Sequence, residues 1–66
     1  MRLRRYYVVE YKGGTLGWHR SVSVPERFRS AFAAWKELKR VMGVSAAKPE
    51  GPAGLTYRVR RAGAPR

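Results

Sequence analysis

The chain has 66 residues, enough for one small domain and too few for a deep catalytic cleft. Fifteen Lys and Arg face only four acidic residues, giving a formal charge of +11 at pH 7. There is no cysteine, which excludes disulfides and thiolate metal sites.

So much like charge works against a compact chain unless a polyanion offsets it, and nucleic acid is the commonest such partner. Eleven of the cations are Arg, which forks onto phosphate and stacks on bases as Lys does not. Asn, Gln, Asp and Ile are absent, a bias that suits either a heat-adapted protein or a GC-rich genome. The start, MRLRRYY, lacks the apolar core of a signal peptide, and no apolar run approaches the ~20 residues of a membrane span. The expected location is cytoplasmic, with no membrane partner.

The first predicted element is a strand from Arg2 to Tyr11, rich in Tyr and Val. Gly13-Gly14 then reads as a type I′ hairpin turn into a second strand, Thr15 to Val24, ended by Pro25. That turn sets Lys12 opposite Thr15, Tyr11 opposite Leu16, Val9 opposite Trp18 and Tyr7 opposite Arg20. Leu3, Tyr7, Val9, Tyr11, Leu16, Trp18, Val22 and Val24 then share the core face. Arg4, Tyr6, Val8, Glu10, Gly17, His19, Ser21 and Ser23 share the other.

A helix is predicted from Pro25 to Met42, with Ser23 or Val24 as its cap and Gly43 at C′. Phe28, Ala31, Phe32, Trp35, Leu38 and Met42 form its apolar stripe. Residues 43–54 read as a Gly/Pro/Ala-rich loop, long enough to be functional or loosely ordered. A third strand runs from Leu55 to Arg60, with Leu55, Tyr57 and Val59 on one face and Thr56, Arg58 and Arg60 on the other. The division is a basic domain over 1–60 and a basic tail over 61–66. The fold class is α+β: β-β-α-β, a three-stranded antiparallel sheet in the order 2-1-3 with one helix on one face.

Three basic sets are candidate nucleic-acid contacts. The bare sheet face gathers Arg4, Tyr6, His19, Arg58 and Arg60, whose rings suit base stacking and whose guanidinia suit phosphate. The helix carries Arg29, Lys36 and Arg40 along one line with Lys39 beside them, although cations there also complement the helix dipole. Arg61 and Arg66 extend the tail, which could order along RNA. An ordinary solvated surface is the competing account for each set.

Catalytic groups are sparse. His19 is the lone histidine, and no cluster of metal ligands is present, so neither a cofactor nor a metal is expected. The eight residues Trp18–Pro25 resemble the His-bearing strand of HicA-type mRNA-cleaving toxins, a resemblance that implies His19 as general acid or base. Those toxins begin with a helix, whereas this chain begins with a strand.

The reading is therefore a non-enzymatic nucleic-acid-binding protein, RNA favoured over DNA, ribosome-associated or similar to a ribosomal protein. Its competitors are a small DNA-binding protein (chromatin-associated, or a viral or plasmid regulator), an inhibitor or adaptor docking on an acidic protein surface, and an RNase toxin using His19.

Overall fold

In the computed structural model, residues 5–14 and 17–63 are described. They form β1 (Tyr6–Lys12), β2 (His19–Arg20), α1 (Ala31–Met42), a short 3₁₀ turn (Pro52–Gly54) and β3 (Thr56–Ala62). The sheet is antiparallel, in the order β2-β1-β3, and α1 packs on one face of it. This is the predicted architecture. Leu3, Arg4, Thr15, Leu16 and Arg66 lie outside the described residues.

β1 is the central strand. Its register with β3 runs unbroken from Tyr6 opposite Ala62 to Lys12 opposite Thr56. Tyr7, Val9, Tyr11, Tyr57 and Val59 therefore share the helix side, and Tyr6, Val8, Glu10, Arg58 and Arg60 share the open side. β3 also reaches Ala62, so Arg61 is a ladder residue rather than part of a tail.

On the other edge of β1 the structure departs from the predicted hairpin. Glu10 pairs with Arg20 and Tyr11 with His19, three residues away from the expected register. A type I′ turn needs positive φ at both central residues. Gly14 has φ 62°, but Gly13 does not enter that region, so the connection is longer than two residues. An odd shift turns every side chain of β2 over. Trp18 thus leaves the core face for the open side, and His19 does the reverse.

The second strand is also short, because the edge of β1 is shared. The Ser21 amide donates to Val9 O (2.9 Å). Residues 22–27 then leave the ladder, and Phe28 returns to it. Phe28 exchanges both backbone hydrogen bonds with Tyr7, at 2.8 and 2.9 Å. Ser21 Oγ accepts from the Val24 amide (3.1 Å), which shapes the excursion and leaves Val24 fully buried while Val22 is 82% exposed.

The same pairing delays the helix. Phe28 is held extended, so α1 begins at Ala31 rather than Pro25. Ser30 is its N-cap, accepting from the Ala33 amide (3.1 Å). At the far end Gly43 has φ 73° and its amide donates to Lys39 O, the predicted C′ role. With Phe28 removed from the helix, the buried stripe is Ala34 and Leu38, flanked by the half-buried Trp35 and Met42. Phe32 points away and is 76% exposed, against the sequence expectation.

The 43–54 segment is ordered. Ser45 pairs with Lys48, Pro49 O accepts from the Tyr57 amide (3.0 Å), and Val44 is buried in the core. A Cβ at Gly51 would lie 2.6 Å from the Tyr57 ring and 3.2 Å from Val44, so only glycine lets the segment approach this closely. The core is Val9, Val24, Ala34, Leu38, Val44 and Tyr57.

Leu38 and Phe32 give a direct test of this packing. Leu38→Ala is expected to cost about 2–5 kcal/mol, the range for a buried Leu truncation. Phe32→Ala is expected to stay within about 0.5 kcal/mol, as for other exposed positions. Thermal melts of the two variants check both. Equal melting temperatures would assign the helix the wrong inner face.

Candidate nucleic-acid interface

The open side of the sheet is built around one carboxylate. Glu10 stands mid-strand in β1, with Arg20 directly opposite on β2 and Arg58 directly opposite on β3. Its side chain is only 8% exposed although no helix covers this face. The Arg58 Nε donates to Glu10 Oε1 (2.8 Å), and its Nη2 lies 2.7 Å from the same oxygen. The Arg60 Nε donates to Oε2 (2.9 Å). Burial resists ionisation of Glu10, but the hydrogen bonds and charges of Arg60 and Arg58 outweigh it and hold the carboxyl below its usual range.

Two guanidinia on one carboxylate leave a net positive triad. The side chains of Arg58 and Arg60 are 40% and 48% exposed, so each keeps donors turned to solvent. Val8 lies on the same face opposite Arg60 and is buried to 1% exposure. With α1 on the other side, the long side chains of this face must cover it, as arginine stems do on apolar surfaces.

Two aromatic rings flank the triad. Trp18, half-buried beside the start of β2, has the Arg58 guanidinium 4.2 Å from its ring centroid and the Lys12 ammonium at 5.7 Å. Tyr6, at the other end of β1, has the Arg27 guanidinium 4.6 Å from its ring centroid. All three contacts are within cation–π range. The Arg20 Nη2 donates to Pro25 O (2.9 Å), tying β2 to the 22–27 excursion. The face thus presents a row of ring and guanidinium planes: Trp18, Arg58, Arg60, Arg27 and Tyr6. Among the four glutamates Glu10 alone lies within a strand, while Glu50 makes an isolated bridge to Thr56 at the far edge of β3.

Of the residues assigned from the sequence, Tyr6, Arg58 and Arg60 are brought together here. His19 is not. It lies on the helix side, exposed, its ring centroid 6.0 Å from that of Tyr11. Arg61 faces the same side, opposite Tyr7. Arg29 precedes α1 instead of lying on it, near Tyr6 and Arg27. Lys36, Lys39 and Arg40 are exposed on α1, away from the open face. Arg40 is paired with Glu37 by two hydrogen bonds, one of 3.0 Å from Nε, which lower the Glu37 carboxyl and raise the guanidinium. Arg4 lies outside the described residues.

Trp18, Arg20, Arg27 and Lys12 were not in the sequence-derived set. A third glycine, Gly17, hinted at a longer connection and thus at a flipped Trp18. Nothing in the sequence marked Arg27, since a helix from Pro25 would have carried it away from the sheet.

Among the described residues no group of three or more His, Cys, Asp or Glu is placed to hold a metal ion, and no helix is long and apolar enough to cross a membrane. Comparison of the chain with protein-family models, curated proteins and solved structures gives no significant match.

The triad makes a prediction in pH. Because the folded-state pKa of Glu10 is depressed, its ionised form stabilises the fold above the unfolded value near 4.5, and that contribution is lost as pH falls through the folded value. Parent protein should therefore lose stability on acidification below about pH 4.5 more steeply than Glu10→Gln, measured as denaturant midpoints across pH 2–7. Parallel profiles would mean that Glu10 is not ionised against the arginines.

Proposed function

We propose that the protein binds single-stranded nucleic acid on its open sheet face, RNA ahead of DNA, as a component of a ribonucleoprotein such as the ribosome. The observation that carries this reading is the flanking of Arg58, Arg60 and Arg27 by Trp18 and Tyr6 on the sheet face opposite α1. Bases stack on rings and guanidinium planes whatever their sequence, and the outward donors of the arginines suit phosphate. Duplex would use the cations but not the ring faces, which favours a single strand. The preference for RNA rests on the arginine-rich composition. His19 is outside this interface, so the reading asks no proton transfer of it.

The test is a titration of labelled RNA, DNA and duplex of about a dozen nucleotides, followed by anisotropy and by tryptophan fluorescence, with Trp35→Phe used to isolate the Trp18 signal. Tyr6→Ala and Trp18→Ala should each weaken single-strand binding by about 1–3 kcal/mol, the value of one stacked base. If Lys12, Arg20, Arg27, Arg58 and Arg60 all reach phosphates, log K should fall against log salt with a slope of about −3.5, at ~0.7 per phosphate. His19→Phe should bind as the parent does. A silent Tyr6 and Trp18 with dependence on Lys36, Lys39 and Arg40 would move the site to the helix and favour duplex DNA. A flat salt dependence would point to an acidic protein partner. RNA cleavage abolished by His19→Phe would replace a binding protein with a nuclease.

A further inference from the structure

Where the open face ends, at the first residue of β1, the surface sinks into an open depression of about 290 Å³. Its walls are Arg5, Tyr6, Arg27, Phe28 and Arg29. The pairing of Phe28 with Tyr7 creates it, because that pairing brings residues 27–29 alongside Arg5 and Tyr6. The volume is at the low end for small-ligand sites, room for one nucleotide rather than a folded segment.

Its walls gather three exposed arginines at one place. Arg58 and Arg60 share Glu10, and Arg40 has Glu37, but among the described residues none of Arg5, Arg27 and Arg29 makes an ion pair. Three exposed guanidinia at one hollow repel one another, and an anion carrying more than one charge offsets this best. A bridging phosphodiester carries a single negative charge, whereas a terminal phosphomonoester carries about −1.5 to −2 at pH 7. The walls also offer aromatic planes: the Phe28 ring, and Tyr6 with the Arg27 guanidinium over it. A guanidinium plane accepts a base on its outer side.

We infer that this depression is a subsite for the terminal nucleotide of a bound strand, its phosphomonoester held by Arg5 and Arg29 and its base stacked against Arg27. The inference rests on the proposed binding face and adds an end preference to it. The strand would then have a fixed start, at Tyr6, and would run along β1 toward Trp18.

The experiment compares three otherwise identical RNA oligonucleotides bearing a 5′-phosphate, a 3′-phosphate or hydroxyls at both ends. One phosphorylated form is expected to bind about tenfold tighter than the hydroxyl form, the factor a single charge-assisted contact supplies. Arg29→Ala, with its fold verified by circular dichroism, is expected to erase that preference. Equal binding of all three forms overturns the subsite and leaves the sheet-face reading standing. If no oligonucleotide binds, the sheet-face reading falls, and AMP decides the subsite separately by amide chemical shifts. Shifts at Tyr6 and Arg27 to Arg29 with AMP, and none with adenosine, would keep it as a mononucleotide site. The absence of such shifts would overturn it.

Discussion

The open face depends on a single buried carboxylate. Glu10 sits in the central strand with arginines on both flanking strands, and without it three like charges would face each other across two ladders. A buried ion pair is not in itself a strong source of stability, because desolvation consumes much of the attraction. What Glu10 supplies is position. It fixes the Nε edges of Arg58 and Arg60 and so turns their remaining donors outward. It also helps set Arg58 against Trp18, and through that contact a ring outside the strands gains a defined place.

The arrangement answers the problem posed by a charge of +11 on so short a chain. The basic residues are not treated alike. Arg40 is neutralised locally by Glu37 on an exposed helix turn, where the pair is screened and of little energetic consequence. Arg58 and Arg60 are partly neutralised and held. Arg27 rests on an aromatic face, and Arg20 on a backbone carbonyl. Each device gives an exposed basic side chain a defined partner within the fold.

Sequence patterning made β1 and β3 legible because both alternate cleanly and pair over their full length, so Tyr57 and Val59 fall on one face and Arg58 and Arg60 on the other. The Gly43 C′ signal was equally local and equally readable. The errors share one cause, namely non-local pairing along the other edge of β1. Val9 and Tyr7 recruit Ser21 and Phe28 there, and these contacts override both a helix-compatible period through Phe28 and a plausible Gly-Gly turn. Phe28 and Phe32 stand four apart, as helix neighbours should. One became a ladder residue and the other a solvent-facing ring, a distinction that composition and spacing do not carry. In the candidate site Tyr6, Arg58 and Arg60 followed from alternation, whereas Trp18 and Arg27 followed from the edge.

The connection between β1 and β2 has a further consequence for how such a surface can diverge. Trp18 and His19 are neighbours on opposite sides of the sheet, and the side each takes is set by the register of β2 on β1. One residue gained or lost in that connection, when taken up as a one-residue slip of β2 along β1, would exchange them, placing an imidazole where the indole now stands and turning Arg20 inward. No side chain in the strands need change. Loops tolerate insertions and deletions far better than the elements they join. A lineage could therefore trade a large, uncharged ring for a titratable one in a single length change, converting a sheet face of fixed charge into one that answers to pH near neutrality.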